Sequence, residues 1–172
     1  PGWTGAYDWT GLLDTGLLPN AVNPSAGFIA TANNRTIAAD YPHVLSSSWY
    51  WPERAERIEE MARATDQHTA ETSRSMQLDV VSLFVPKLQR VMLSGSLLNA
   101  INKEIETWKD EARRTQAHAA MAMLRGFDGD MQADSPSAAL VSVFYDQATR
   151  NIFLDELGTE DSKTWQAFLV LN

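Results

Sequence analysis

Ile101, Ile105, Trp108, Ala112, Thr115 and Ala119 follow one another at intervals of four, three, four, three and four residues. An α-helix brings such a series onto one face, because its turn takes about 3.6 residues. No other feature of the chain constrains the fold as strongly. It predicts one long helix from about Leu98 to Arg125, carrying a narrow apolar stripe and ended by Gly126 and Gly129.

The flanking sequence reads the same way. Pro52 suits a first helical position, where its missing N–H costs nothing, and Glu53 sits near the positive helix end. Ala55, Ile58, Met61 and Ala62 follow at helical spacing. A second helix is expected within 69–76. A third, "LDVVSLFVPKLQRVML" at 78–93, is apolar nearly all round and so buried, with Pro86 expected to kink or break it. Ser135 as a cap, Pro136 in the first turn and Gly158 as a stop bound a further helix.

The front of the chain differs. Residues 1–26 are rich in Gly and Pro and show no helical period, which predicts extended loop. Phe28–Asn33 reads as a short buried strand. Residues 34–51 read as irregular, with a turn at Tyr41-Pro42 and an aromatic cluster at Trp49, Tyr50 and Trp51. The expected fold class is mainly α with a small β portion at the N-terminal end. The expected organisation is a loop/strand segment over 1–51 and a helical region over 52–172.

A length of 172 residues fits one domain with a real core. The net charge of −8 argues against a nucleic-acid partner, since phosphate binding needs a basic face. No apolar run approaches the roughly 18 residues of a membrane span, so no membrane partner is expected. Without cysteine the chain can form neither disulfides nor thiolate metal sites. It opens on "PGWTGAYDWTG" without an initiator Met or a signal peptide, and closes on the apolar "TWQAFLVLN". The expectation is an excised or processed piece of a longer chain.

Few residues suggest chemistry. His43, His68 and His118 are widely spaced, and none has a second ligand at helical spacing, whereas zinc needs three or four ligands. "DGDMQADSPSA" at 128–138 begins like a calcium loop with Asp128 and Asp130. Ala133 and Ala139 then stand where that loop needs Gly and an acidic ligand, so the residues read as a solvated turn before a helix cap. The secondary amine of Pro1 could act as a base, as in small tautomerases, but those are built on compact βαβ units and this chain reads as helical. That leaves Asn33, Asn34, Arg35 and Arg54. On residue type alone the amides satisfy backbone groups and the arginines pair with surface carboxylates. Alternatively, an amide NH₂ donates without carrying charge and can stabilise an oxyanion.

"NPSAGFIATANNR" at 23–35 resembles a motif of the penicillin acylase family, the S45-type N-terminal-nucleophile hydrolases. "YPHVLSSSWYWPERAERIEEM" at 41–61 is similar to the family's next signature, an aromatic segment followed by P-x-R-A-x-R-I. "TAETSRSMQLDVVSLFVPKLQ" at 69–89, "LRGFDGDMQADSPSAAL" at 124–140 and "YDWTGLL" at 7–13 extend the likeness from about Trp3 to Asp155. The first two motifs are specific, while each helical one is weak by itself.

The resemblance implies the middle of the large (β) chain of an αββα enzyme. Such an enzyme hydrolyses a non-peptide amide: a β-lactam side chain, an N-acyl-homoserine lactone or a related acylated amine. In the family a self-cleaving zymogen exposes a Ser whose hydroxyl attacks and whose own α-amine is the base. The first Asn of the Asn-Asn pair, here Asn33, supplies the side-chain donor of the oxyanion hole. The arginine heading the following helix, here Arg54, holds the nucleophile region. Asn34 and Arg35 are expected to brace the loop.

The nucleophile is expected outside this stretch, on the remainder of the processed enzyme (its small α chain and the rest of its β chain). The piece alone is expected to be inactive. Some family members bind calcium through an aspartate after the Tyr-Pro pair; the matching position here is near Leu45, so no cofactor is expected on this segment, while the resemblance leaves calcium open to the full-length enzyme. The family also implies a periplasmic or secreted setting and a link to antibiotic biosynthesis. The competing readings are a non-catalytic helical interaction module and an inactive homologue. Cut from its partners, the piece is expected to self-associate through Trp49–Trp51, Phe28-Ile29 and the "FLVL" end.

Overall fold

The computed structural model describes residues 2–171; Pro1, and with it the amine considered above, lies outside them. Seven α-helices are found among the described residues: α1 Glu53–Arg63, α2 Ala70–Gln77, α3 Phe84–Met92, α4 Gly95–Glu106, α5 Glu111–Gly126, α6 Pro136–Leu157 and α7 Lys163–Leu171. Two short 3-10 turns, Gly2–Thr4 and Thr15–Leu17, lie in the front segment. The chain divides into two compact units, Pro1–Ala70 and Glu71–Asn172.

The mainly helical expectation holds, but the β portion does not form. No strand occurs among the described residues; residues 28–33 are irregular, and only isolated bridges join Asn34 to Tyr50 and Val81 to Asp130. An apolar run becomes a strand only when another segment takes up its ladder. Here the contact begins and ends at one residue pair. Phe28 is half-buried, whereas Ile29 stands 69% exposed and Trp51 70% exposed.

In the second unit, the predicted 98–125 helix is two helices. The stripe runs through the break without marking it, because "TWKD" satisfies the backbone groups that a continuous helix would pair. Asp110 Oδ1 accepts from Arg113 N at 3.0 Å and so caps α5. The Thr107 hydroxyl donates to Glu104 O at 2.6 Å, and Arg114 Nη1 donates to Trp108 O at 2.6 Å. Ala112, Thr115 and Ala119 consequently face solvent, while Leu124 is buried and Ala117, Ala120 and Met121 are half-buried. Between α4, α5 and α6 lies an open apolar cleft of about 500 Å³, bordered by Ile101, Ile105, Trp108, Met121 and Phe144.

The apolar 78–93 run is likewise shorter as a helix than expected. Leu78 N and Asp79 N still bond back to Arg74 O and Met76 O at the end of α2, and the chain then meets Gly129: Ser82 N donates to Gly129 O at 2.8 Å and Met131 N to Val80 O at 3.2 Å. α3 starts at Phe84, which places Pro86 in its first turn. There the backbone N–H groups have no intrahelical acceptor, so proline neither kinks nor breaks the helix. Val85 and Leu93 pack with Leu124, Phe127, Ala138 and Val141 into the core of this unit. Gln89 Nε2 closes it by donating to Leu124 O at 2.8 Å and Phe127 O at 2.6 Å, the loose carbonyls at the end of α5.

α6 has the predicted bounds. The Ser135 hydroxyl accepts from Ala138 N at 3.2 Å, Pro136 opens the helix, and Gly158 ends it with φ +110. Arg150 on α6 binds Asp146 at 3.0 Å and Glu160 at 2.6 Å; the hydrogen bond to Asp146, with that carboxylate's charge, raises the guanidinium pKa above its ordinary value. Its guanidinium lies 5.9 Å from the ring of Trp165 on α7, the most deeply buried large side chain among the described residues.

Candidate functional site

The first unit contains the 23–35 stretch. Gly27, at φ +79, closes a turn by donating its N–H to Pro24 O at 2.9 Å. The chain then runs past Phe28, whose ring lies 5.1 Å below the Arg63 guanidinium at the far end of α1. Ala32 is buried, and its N–H donates to Asn34 Oδ1 at 3.0 Å. Asn34 Nδ2 donates to Arg35 O at 3.3 Å. Arg35 in turn folds over its own loop, with Nε on Ile37 O at 3.1 Å and Nη2 on Ala38 O at 3.0 Å. Both residues are therefore committed to holding the backbone, the bracing role expected of them.

Asn33 is different. Its φ is +62, in the left-handed region that asparagine tolerates better than most residues. Its carbonyl accepts Tyr50 N–H at 2.9 Å. Its side chain is exposed, and its amide has no hydrogen-bond partner among the described residues. The backbone is fixed and the NH₂ group is left to donate elsewhere. In chemical terms the side chain is an uncharged donor on a fixed backbone.

Arg54 stands in the first turn of α1, one position later than its neighbour Glu53, which opens the helix after Pro52 as the N-cap. Pro52 thus precedes the first helical residue instead of occupying it. The Arg54 guanidinium lies 5.9 Å from the centre of the Tyr50 ring. Asn33 and Arg54 accordingly meet through one residue, Tyr50, by its backbone on one side and its ring on the other.

The remaining candidates do not converge. His43 meets the edge of Tyr41 at 5.7 Å, His68 Nε2 lies 3.1 Å from Ala62 O, and His118 Nε2 lies 2.8 Å from Glu106 Oε1. Among the described residues no three acidic or histidine side chains group as metal ligands. Leu45, at the position expected to match the calcium aspartate of some family members, carries no side-chain oxygen. Asp128 Oδ1 accepts from Asp130 N at 3.0 Å within its turn. No described helix is long and apolar enough to cross a membrane.

The penicillin amidase family model matches residues 1–171. This chain belongs to the penicillin amidase family. Among the relatives of this penicillin amidase family member, the acyl-homoserine lactone acylase QuiP of Pseudomonas aeruginosa is 43% identical over 169 residues, covering 98% of this chain and 20% of that protein. The protein of the same name from Pseudomonas fluorescens (strain Pf-5) is 40% identical over 169 residues, covering 98% of this chain and 21% of that protein. Penicillin acylase 2 proenzyme of a Pseudomonas species is 31% identical over 154 residues, covering 87% of this chain and 18% of that protein. The chain thus spans about a fifth of the length of the curated relatives it matches. No solved structure matches it.

Proposed function

We propose that this chain is the oxyanion-stabilising segment of an acylase that removes the acyl group from an acylated amine, with N-acyl-homoserine lactones ahead of β-lactams as substrates. The observation that carries this reading is the Asn33 amide, left without a partner while Asn34 and Arg35 are bound into the loop beside it. The order of substrates is supported by the names of the more similar relatives. The nucleophile is placed on a serine elsewhere in the full-length protein, at the head of a chain released from a zymogen in the periplasm or outside the cell.

In this account the serine hydroxyl adds to the amide carbonyl while its α-amine takes the proton. The carbonyl oxygen becomes negative and receives the Asn33 NH₂ together with a backbone N–H. The C–N bond then breaks, the amine leaves with the proton, and water releases the acid from the acyl-enzyme. Arg54 holds the nucleophile region and takes no part in proton transfer. Asn33 needs no change of charge at any step, which is what an amide can offer and a carboxylate cannot.

The test is the full-length protein incubated with a long-chain N-acyl-homoserine lactone and, separately, a phenylacetylated β-lactam. Free amine and free carboxylic acid should appear in equal amounts, faster from the first substrate. A correctly processed protein that opens the lactone ring without releasing amine, or that releases no amine from either compound, contradicts the assignment.

A further inference from the structure

The structure points to Tyr50 as the residue that positions Asn33 and Arg54 relative to each other, a role that rests on the acylase reading above. Two independent contacts meet on it. Its N–H donates to Asn33 O at 2.9 Å, and its ring lies 5.9 Å from the Arg54 guanidinium. The first contact sits on the backbone of a residue at φ +62. A residue in that small region has little backbone freedom while its carbonyl is held, so the Tyr50 hydrogen bond fixes the Cα–Cβ direction from which the Asn33 side chain departs. The second contact engages the guanidinium of Arg54, whose backbone belongs to α1. Its distance falls just inside the range over which a cation feels an aromatic face.

The local sequence explains why one residue can do both. Tyr50 is followed by Trp51 and Pro52, after which α1 begins, and Arg54 lies four residues after Tyr50 in the first turn. The guanidinium therefore reaches back to the residue that pairs with the Asn33-Asn34 corner. The other end of α1 is fastened to the same loop by Arg63 over Phe28 at 5.1 Å. The helix is thus fixed to the loop at both ends, and Tyr50 is the fastening next to the candidate donor. Tyr50 is 64% exposed, and its hydroxyl has no hydrogen-bond partner among the described residues. Packing and the hydroxyl are therefore poor explanations for a tyrosine here, whereas its ring face and backbone are both engaged.

The test uses the full-length, processed acylase, with cleavage checked for every variant. Tyr50→Leu removes the ring face and keeps a backbone N–H. It should lower kcat by about 2- to 5-fold, the range for losing an exposed cation–ring contact, with KM changed less than twofold. Tyr50→Phe keeps the face and should stay within twofold of wild type in kcat. In an Arg54→Ala background, Tyr50→Leu should produce no further loss, because the partner is already gone. A merely structural tyrosine would lower the yield of processed enzyme, or shift KM and kcat together, and would show multiplying losses with Arg54→Ala. Equal impairment by Leu and Phe, unchanged kcat in Tyr50→Leu, or multiplying losses would each overturn the role. Asn33→Ala in the same series separates the two levels. If it turns over like wild type, the oxyanion reading falls and Tyr50's role with it. If it is slow while the Tyr50 outcomes fail, only the Tyr50 inference falls.

Discussion

In the full-length, processed protein, Asn33→Ala is expected to lower kcat roughly 100- to 1,000-fold and to leave KM nearly unchanged. An oxyanion donor is worth about 2.7–4 kcal/mol because it acts on charge that exists in the transition state and hardly at all in the bound substrate. Backbone conformation could mimic this result. Asn33 sits at φ +62, where alanine pays a penalty of about 1–2 kcal/mol. Asn33→Gly removes that penalty, since glycine enters the region freely. The account predicts that the glycine variant is about as slow as the alanine variant. Recovery in Asn33→Gly would mean that loop strain, and not the lost NH₂, had slowed the enzyme. Asn33→Asp keeps the shape but replaces the donor with an acceptor, and should be at least as slow as alanine.

Gly129→Ala is expected to cost about 3 kcal/mol of stability. Its φ is +91, and a Cβ built there would lie 2.6 Å from the carbonyl oxygen of Ser82. Two costs add: the backbone strain of a side chain at that φ, about 1–3 kcal/mol, and overpacking against a backbone atom, also about 1–3 kcal/mol. Relief by movement is costly, because Ser82 N binds Gly129 O at 2.8 Å and Met131 N binds Val80 O at 3.2 Å on either side. Urea unfolding should show the midpoint falling by roughly 1–2 M. Gly126→Ala is the matched control, since a Cβ there meets nothing within 4 Å; its midpoint should stay put or rise slightly. Equal behaviour of the two variants would show that the 80–82 and 129–131 segments are not clamped as described.

Those two glycines also illustrate how unevenly the fold can be read from residues. α6 was legible in full, because Ser135, Pro136 and Gly158 are local signals that act on their own backbone. The separation of α4 from α5 was not. Asp110 is a good cap, but the apolar spacing continues across it from Trp108 to Ala112 and conceals the stop. Pro86 was recognised as a helix constraint and misplaced in its effect, since the answer depends on where α3 starts. That start is set by the bridge between Val81 and Asp130, roughly fifty residues apart in sequence. Phe28–Asn33 failed as a strand for the complementary reason: its residues suit a strand, but only Tyr50 arrives to pair with this corner.

The site divides along the same line. The bracing by Asn34 and Arg35 is local, since the amide accepts from Ala32 N–H, the guanidinium donates to the carbonyls of Ile37 and Ala38, and all these partners lie within three residues. The significance of Tyr50 was hidden within an aromatic cluster, because its contact with Asn33 crosses the irregular 34–49 segment, which no period describes. The contact between Arg63 and Phe28 was hidden in the same way.

The central claim is that Asn33 donates to the oxyanion. The most direct measurement is a crystal structure of the full-length, processed protein carrying a tetrahedral adduct on its nucleophile, formed with an alkyl boronic acid or phosphonate. The account predicts Asn33 Nδ2 at about 2.7–3.1 Å from the adduct oxygen that stands for the oxyanion. An adduct oxygen held entirely by other donors, with the Asn33 amide turned away beyond hydrogen-bonding distance, would contradict it.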